Sequence, residues 1–259
     1  VEEHGKKHMV VADVCNNLGV TYANMGRYDE AIALHEESLE ICRRATSERC
    51  IEAGTCLMYI GEALHHQTRY EEALARFEEA LSICTEAVGE KHTSVARVLG
   101  NMGRCYYMMS RLDEALKAHK KALKIYRIVD GDDSSGAAAE LHNIGNVLLD
   151  KGMLAEAKAK YEEALEIRRC LSGEKHGGVA TLLGSIAEIL RMQGQLDEAL
   201  EMHEKALKIK RRALGEDHQN VANTLWSIGR VYADQGKHAE ALEMYGKALA
   251  IYDRALGID

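Results

Sequence analysis

The chain has 259 residues, of which 46% are hydrophobic, and its formal net charge at pH 7 is −8. This acidic balance argues against a protein that binds nucleic acid or an anionic membrane, since such proteins carry a basic stripe. No apolar run approaches the ~18 residues that a membrane-spanning helix needs. Seven cysteines without a Cys-x-x-Cys pair indicate free or buried thiols in a reducing compartment, so we expect a cytoplasmic protein.

One stretch of sequence, at 196–209, recurs almost letter for letter at 112–125 and more loosely four further times. Six copies of 42 residues fill 252 of the 259 positions, without insertion or deletion. Self-similarity at this period indicates a stacked repeat array, in which each unit buries its apolar face against its neighbours. The step is seen most clearly in one row of alanines: Ala31, Ala73, Ala115, Ala157, Ala199 and Ala241.

Each copy shows the helical period twice, with a break between the two runs. In the first copy the predicted helices cover about 9–24 and 29–44, and Gly26 lies between them where a positive φ is tolerated. Val11, Cys15, Leu18 and Tyr22 are predicted to face the core. The other predicted helices cover about 51–67, 70–87, 93–109, 112–129, 135–151, 154–171, 177–193, 196–214, 219–235 and 238–256.

Small residues recur in the middle of the first helix of each copy, where glycine costs roughly 1 kcal/mol relative to alanine. Retaining this cost predicts that a neighbouring backbone approaches closely there. The row consists of Gly19, Gly61, Gly103, Gly145, Ala187 and Gly229. A long coiled coil could share the period, because 42 residues are six heptads, but the recurrent glycines between the helices would break it.

The pattern of Leu18-Gly19, Tyr22, Ala31 and Ser38 resembles the tetratricopeptide repeat. The linker at 89–96, repeated at 173–180 and 215–222, is similar to that of kinesin-light-chain repeats. This resemblance implies an all-α tetratricopeptide-repeat solenoid, wound as a right-handed superhelix of six helix-turn-helix repeats. It predicts a single array over 1–259, with repeats at about 5–46, 47–88, 89–130, 131–172, 173–214 and 215–256.

The sequence offers little for catalysis or metal binding. Glu62 and His66 stand one helical turn apart with His65 beside them, but these residues make no complete ligand set, and we interpret them as polar residues lining a groove. His92, His176 and His218 repeat at one linker position, so we interpret them as helix-start residues. No phosphate-binding or dinucleotide-binding glycine cluster occurs. We therefore expect a non-enzymatic protein without cofactor or metal.

The remaining candidate is a binding surface. In the repeat family that the chain resembles, the first helices line a concave groove that takes peptides or helices, and here the positions on that face vary from copy to copy. By the same resemblance, Asn17, Asn101 and Asn143 could clamp a peptide backbone, since an amide both donates and accepts. Arginines could hold carboxylates. The candidate residues are Asn17, Tyr59, Arg97, Asn101, Arg104, Tyr107, Asn143, Asn146, Arg191, Trp226 and Arg230. Variable positions of this kind could also be merely solvated.

The predicted function is a scaffold that binds a protein or peptide partner in this groove. Two alternatives stay open: a motor–cargo adaptor resembling the kinesin light chain, and the sensor or spacer array of a larger signalling ATPase or enzyme. The last predicted helix keeps the apolar pattern of the internal copies, whereas terminal repeats need a polar outer face. We therefore expect a fragment of a longer chain, or else self-association through the ends.

Overall fold

The computed structural model describes residues 2–45 and 50–256, and within them it contains twelve helices and no strand. The helices are α1 (Glu2–Asn24), α2 (Tyr28–Ala45), α3 (Ile51–His66), α4 (Tyr70–Val88), α5 (Thr93–Met108), α6 (Leu112–Asp130), α7 (Ser135–Asp150), α8 (Leu154–Ser172), α9 (Gly177–Met192), α10 (Leu196–Leu214), α11 (Gln219–Asp234) and α12 (His238–Leu256). None of these helices is long and apolar enough to cross a bilayer.

The helices follow the 42-residue step of the sequence. The first helices of the second to sixth copies begin at Ile51, Thr93, Ser135, Gly177 and Gln219. The predicted all-α, helix-turn-helix fold is therefore confirmed, with helix ends within a residue or two of the expected ones. The exception is α1, which begins at Glu2 and not near residue 9. The predicted boundary at 46/47 lies outside the described residues.

Internal contacts group the chain into two compact units, Val1–Asn143 and Ile144–Asp259. In the first, α1 packs on α2, α3 on α4 and α5 on α6; in the second, α9 packs on α10 and α11 on α12. In both units the second helix of one pair also contacts the first helix of the next, as α2 does with α3 and α10 with α11. The expectation of a single array stays a prediction.

The mid-helix glycines accommodate rings from the second helices. A Cβ placed on Gly19 would lie 2.6 Å from the imidazole of His35, and one on Gly61 would lie 2.6 Å from the ring of Phe77. Gly103 has the same relation to His119, Gly145 to Tyr161 and Gly229 to Tyr245. The prediction that another backbone approaches these glycines is therefore wrong: an aromatic or imidazole side chain occupies the space that a Cβ would take. The alanine row at Ala31 is buried, as expected from its small size.

The turn and linker residues act as predicted. Gly26 has φ of 77°, and the residues at the same register position, Thr68 and Ser110 among them, also have positive φ. At the linkers, the imidazole Nδ1 atoms of His92, His176 and His218 accept hydrogen bonds from backbone N–H groups two residues later. These histidines are therefore N-caps, which satisfy a donor that the first helical turn leaves free.

The side-chain packing departs from the sequence expectation on α1, and elsewhere it contains a buried carboxylate. Val11 and Leu18 were expected in the core, but each is 47% exposed. Their equivalents in the second copy, Ala53 and Ile60, are buried, because α3 packs against the preceding second helix, α2, whereas α1 is the first helix of the chain described here. The buried carboxylate is that of Glu140, whose Oε2 lies 2.7 Å from His119 Nδ1.

The ring-on-glycine packing predicts opposite effects for two alanine substitutions. At Gly103→Ala the new Cβ collides with His119, and we expect a loss of about 1–3 kcal/mol, which is typical of overpacking. At Gly184→Ala, in α9, no heavy atom lies within 4 Å of the new Cβ. There the better helix propensity should stabilise the protein by up to ~1 kcal/mol. Thermal unfolding followed by circular dichroism measures both, and equal melting temperatures for the two variants would contradict the packing.

Candidate functional site

In the first unit, polar side chains of neighbouring first helices are joined by hydrogen bonds. Asn101 of α5 donates through Nδ2 to Glu62 Oε1 of α3 at 2.7 Å, and its Oδ1 accepts from Arg104 Nη1 at 3.4 Å. Asn101 is only 8% exposed, whereas Arg104 is exposed. Both faces of the Asn101 amide therefore already have partners, and Arg104 is the group of this cluster that solvent reaches.

Two more candidate residues of this unit contact the same helices. Arg97 is exposed, and its Nε donates to Met58 Sδ at 3.0 Å. Tyr59 is half-buried and stacks on His35 with 5.1 Å between the ring centroids. Arg97, Tyr59 and the Asn101 cluster all belong to α3 and α5, which contact each other directly. The structure therefore places four candidates of the second and third copies on two helices in contact.

The group Glu62, His65 and His66 does not converge on one point. Glu62 accepts the Asn101 amide, His66 stacks on Tyr28 at 5.3 Å, and His65 Nδ1 lies 3.3 Å from Cys105 Sγ. The three side chains therefore contact three different residues on the neighbouring helices α2 and α5. The part of the chain that the structure describes contains no cluster of three or more metal-ligating side chains.

The remaining candidates of the first unit lie on three different first helices. Asn17 is exposed on α1, while Tyr107 and Asn143 are half-buried on α5 and α7. The three asparagines that were predicted to clamp a peptide backbone thus comprise one exposed, one buried and one half-buried residue. Its use as a peptide clamp stays a prediction.

In the second unit the candidates form a charged network. Arg191 bonds Glu188 at 2.8 Å and also pairs with Asp234, while Arg230 reaches the same Glu188 at 3.2 Å. Burial raises the pKa of Glu188, but its hydrogen bond with Arg191 and the two guanidinium charges hold that pKa below its usual value. The Arg230 guanidinium also lies over the ring of Trp226, 4.9 Å from its centroid. Arg191, Trp226 and Arg230 are therefore positioned as one surface.

Next to this network a cleft of about 390 Å³ opens between α9 and α11. The predicted residues Asn146 and Arg230 line it, together with Glu188. Two further lining residues, His203 and Lys210, come from the second helix α10, and the sequence analysis did not single them out. A signal was present, since the register position of Lys210 holds Cys42, Cys84, Tyr126, Arg168 and Tyr252 in the other copies, so that only the fourth and fifth copies have a basic residue there.

The seven cysteines are all free thiols, and five of them are buried. Burial is the largest effect on Cys105, whose pKa it raises to about 11. A thiol with a raised pKa is a poor nucleophile at neutral pH. The five buried cysteines are therefore packing residues on the helices.

A tetratricopeptide-repeat family model matches residues 52–128, 136–211 and 179–254, and a second one matches residues 11–48. No curated protein sequence is similar enough to count as a relative.

Among solved structures, the chain resembles BtubC (BKLC) from P. vanneervenii, with 23% identity and a TM-score of 0.76 over 89% of this chain and 92% of that one. It also resembles the nearly identical TPR-like repeats of a Podosopora anserina kinesin light chain candidate, with 18% identity and a TM-score of 0.65 over 78% and 95% of the two chains. Aspartyl phosphate phosphatase F from Bacillus subtilis is 12% identical, with a TM-score of 0.70 over 97% and 72%. At these identities the likeness concerns the fold alone.

The buried histidines predict that the protein loses stability in acid. Burial lowers the pKa of His35, His65 and His203 from 6.5 to about 4. In the unfolded chain these groups take up protons below about pH 6.5, while in the folded chain they stay neutral until about pH 4. The free energy of unfolding should therefore keep its full value above about pH 6.5 and decrease as the pH falls from 6.5 toward 4.

The variant His203→Phe isolates one of these groups, because Phe77 occupies the same register position in the second copy. For a pKa of about 4, the wild-type His203 should cost about 2 kcal/mol at pH 5 relative to pH 7.5. We expect the melting temperature of the variant to fall less between these two pH values. A change in packing alone would shift the melting temperature equally at the two pH values. A variant whose melting temperature falls between pH 7.5 and pH 5 by as much as that of the wild type would therefore contradict the prediction.

Proposed function

Since the chain belongs to the tetratricopeptide-repeat family, we propose that it is a non-enzymatic interaction scaffold that holds a peptide or helical segment of a partner protein. The bound segment lies in the concave groove that the first helices line in this family. The supporting observation is the network of polar side chains that joins neighbouring first helices, as Asn101 joins Glu62 and Arg230 joins Glu188.

Stacking does not dictate the residues of this network. The buried alanine row repeats the same residue in each copy, as at Ala31 and Ala73, both fully buried. The row that contains Glu62 instead reads Val20, Glu62, Arg104, Asn146, Glu188 and Arg230. Residues that change while the core stays constant are free to serve a partner, and polar positions held in place by neighbours are preorganised for binding.

The chemistry of this face suits a partner with charged and apolar groups. Arg104 and Arg97 are exposed and can form bidentate hydrogen bonds with carboxylates. Trp226 is 48% exposed, with Arg230 over its ring, and a large half-exposed aromatic ring is a typical anchor of a protein interface. A partner segment with both acidic and apolar side chains would match both features.

A motor–cargo adaptor related to kinesin light chains is the second candidate. The 42-residue step and the histidine-capped linkers at His92, His176 and His218 favour it. The identity of the captured partners decides between this adaptor and a general scaffold. A catalytic domain encoded next to the array would favour the third candidate, the sensor or spacer of a larger signalling ATPase or enzyme.

We propose in addition that copies of the chain associate through α1 and α12. Val11, Val14 and Leu18 are exposed on α1, and Leu242 and Leu249 are exposed on α12. The register equivalents of Leu242 and Leu249 in the second unit's preceding copy, Leu200 and Leu207, are half-buried and buried. An apolar surface that repeats normally bury is a site where another repeat can stack.

Loss of specific partners should follow from changing the first-helix face. We expect Arg104→Glu/Trp226→Ala to weaken capture of partner proteins from extract about tenfold, the effect of one lost charge-assisted hydrogen bond. The matched control Lys124→Glu/Leu214→Ala changes exposed second-helix residues in the same way. Partner proteins that still bind the Arg104→Glu/Trp226→Ala variant would place recognition elsewhere on the chain. So would partner proteins whose binding is weakened equally by this variant and by the control.

Association through the ends predicts a concentration-dependent mass. Light scattering should show a mean mass above 28.7 kDa that rises with protein concentration. Leu242→Glu, at a side chain that is 71% exposed, should return the mass to that of one chain. Leu171→Glu, at an exposed leucine elsewhere, should leave the association unchanged. A strict monomer at high concentration would rule the association out.

A further inference from the structure

The cleft between α9 and α11 contains a buried imidazole without a partner. Three other polar rings of its register row have one: His35 Nδ1 lies 2.9 Å from Asn16 Oδ1, His119 Nδ1 lies 2.7 Å from Glu140 Oε2, and the hydroxyl of Tyr161 donates to Asn146 at 2.7 Å. His203 is 3% exposed, and no described residue lies within hydrogen-bonding distance of either ring nitrogen. A buried polar group without a partner calls for an explanation, of which a missing ligand is one.

Lys210 adds an uncompensated charge to the same cleft. Its Nζ donates to Thr224 Oγ1 at 2.8 Å, and among the described residues no carboxylate pairs with it. Burial lowers its pKa, because the charged ammonium is deprived of water. The register position of Lys210 holds Arg168 in the fourth copy, and Cys or Tyr in the other four, so the packing of the repeats does not itself require a charged residue here. A charge kept at such a position is costly unless an anion balances it.

The charges around the cleft fit an anion with a single charge. Its ionisable lining residues are Lys210, Arg230, Glu188 and His203. The neutral form of His203 dominates at pH 7, so two cations against one carboxylate leave one positive charge. Glu188 would repel a phosphate dianion, whereas a carboxylate would balance Lys210 and accept a hydrogen bond from the neutral imidazole N–H.

The cleft also has room for such a group. A Cβ on Gly184 would meet no heavy atom within 4 Å, so the absence of a side chain there leaves the space between α9 and α11 open. In the other copies this register position holds Asn16, Met58, Gly100, His142 and Trp226, and at Gly100 the side chain of Glu140 occupies the space that a Cβ would take. Asn223 and Ser227 are further lining residues that can donate hydrogen bonds to a carboxylate.

We infer that this cleft binds the side-chain carboxylate of an aspartate or glutamate in the partner segment, with Lys210 as its counter-charge and His203 as a hydrogen-bond donor. This inference rests on the proposed scaffold function and assigns the fifth and sixth copies as the place where an acidic residue is recognised. Lys210 and His203 come from the second helix α10, so the specificity of the groove here depends on residues beneath the first-helix face.

The inference is tested by NMR titration of the whole chain with N-acetylglutamate α-amide, which carries the carboxylate, and with the neutral N-acetylglutamine α-amide. We expect the glutamate probe to shift the imidazole signals of His203 to saturation and to raise the pKa of His203, and the glutamine probe to leave both unchanged. Glutarate serves as the free dicarboxylate, and we expect it to bind more weakly than the glutamate probe. Equal binding of the two amides would overturn the inference. Tighter binding of glutarate than of the glutamate probe would show that the cleft prefers a free dicarboxylate to the side chain of a peptide, and would also overturn it.

Two variants tie the response to the cleft. Lys210→Met should weaken binding of the glutamate probe about tenfold, whereas Lys208→Met, at an exposed lysine of the same helix, should have no effect. Gly184→Met fills the cleft with the residue found at Met58 and should abolish binding while leaving the helical content unchanged. Normal binding to a folded Lys210→Met or Gly184→Met protein would refute the assignment.

The outcome is separable from that of the scaffold function. Partners that depend on Arg104 and Trp226, together with no response of His203 to the glutamate probe, would leave the scaffold in place and refute the cleft. A response of His203 with no partner that depends on the first-helix face would support carboxylate binding and refute the scaffold.

Discussion

The contact on which the rest of the structure depends is that between a second-helix ring and a first-helix glycine. In five copies a ring such as Phe77 or Tyr161 occupies the space that a glycine Cβ would take. The contact repeats at the 42-residue step, so it sets how each first helix meets its second helix. Because a glycine in mid-helix is otherwise unfavourable, these glycines are explained by the ring contact and not by turn geometry.

The same contact links the core to the first-helix face. Most rings of the row carry a polar atom, and a buried polar atom needs a partner. The partner comes from a first helix: Asn16 serves His35, and Asn146 serves Tyr161. Groove residues and packing residues are therefore coupled, and a change of ring in one copy alters which amide or carboxylate the face must supply. At His203 no described residue supplies one.

Much of the fold could be predicted because the repeat samples each position six times. The step of 42 residues located the helices, and Gly26 and the linker histidines located their ends. The sequence could not reveal that the space beside Gly61 is filled by Phe77 and not by backbone, because periodicity identifies small positions without saying what approaches them. It also could not show that Leu18 is exposed, since exposure depends on a neighbouring repeat and not on the residue itself.

The candidate site was less predictable for a related reason. Spacing correctly indicated that Arg191 and Arg230 lie on one face, but the bonds that join them to Glu188 depend on distances between helices. Asn101 has the residue type of a peptide clamp, yet its amide is held by Glu62. The predicted candidates all lie on first helices, whereas Lys210 lies on the second helix α10 and so was not among them.

Departures from the repeat register therefore carry the information about function. Stacking explains each residue that recurs at 42-residue spacing, so it cannot explain a charged residue that occurs where other copies have apolar ones. Glu140 is such a departure, and its partner His119 accounts for it within the fold. Lys210 shares its register position with Arg168 of the fourth copy, but within the described chain its ammonium finds only a hydroxyl, and the same cleft contains the imidazole of His203 without a partner. An unpartnered buried imidazole and a half-buried ammonium without a counter-charge both reduce stability, and binding an anion in the cleft is the physical change that would recover it.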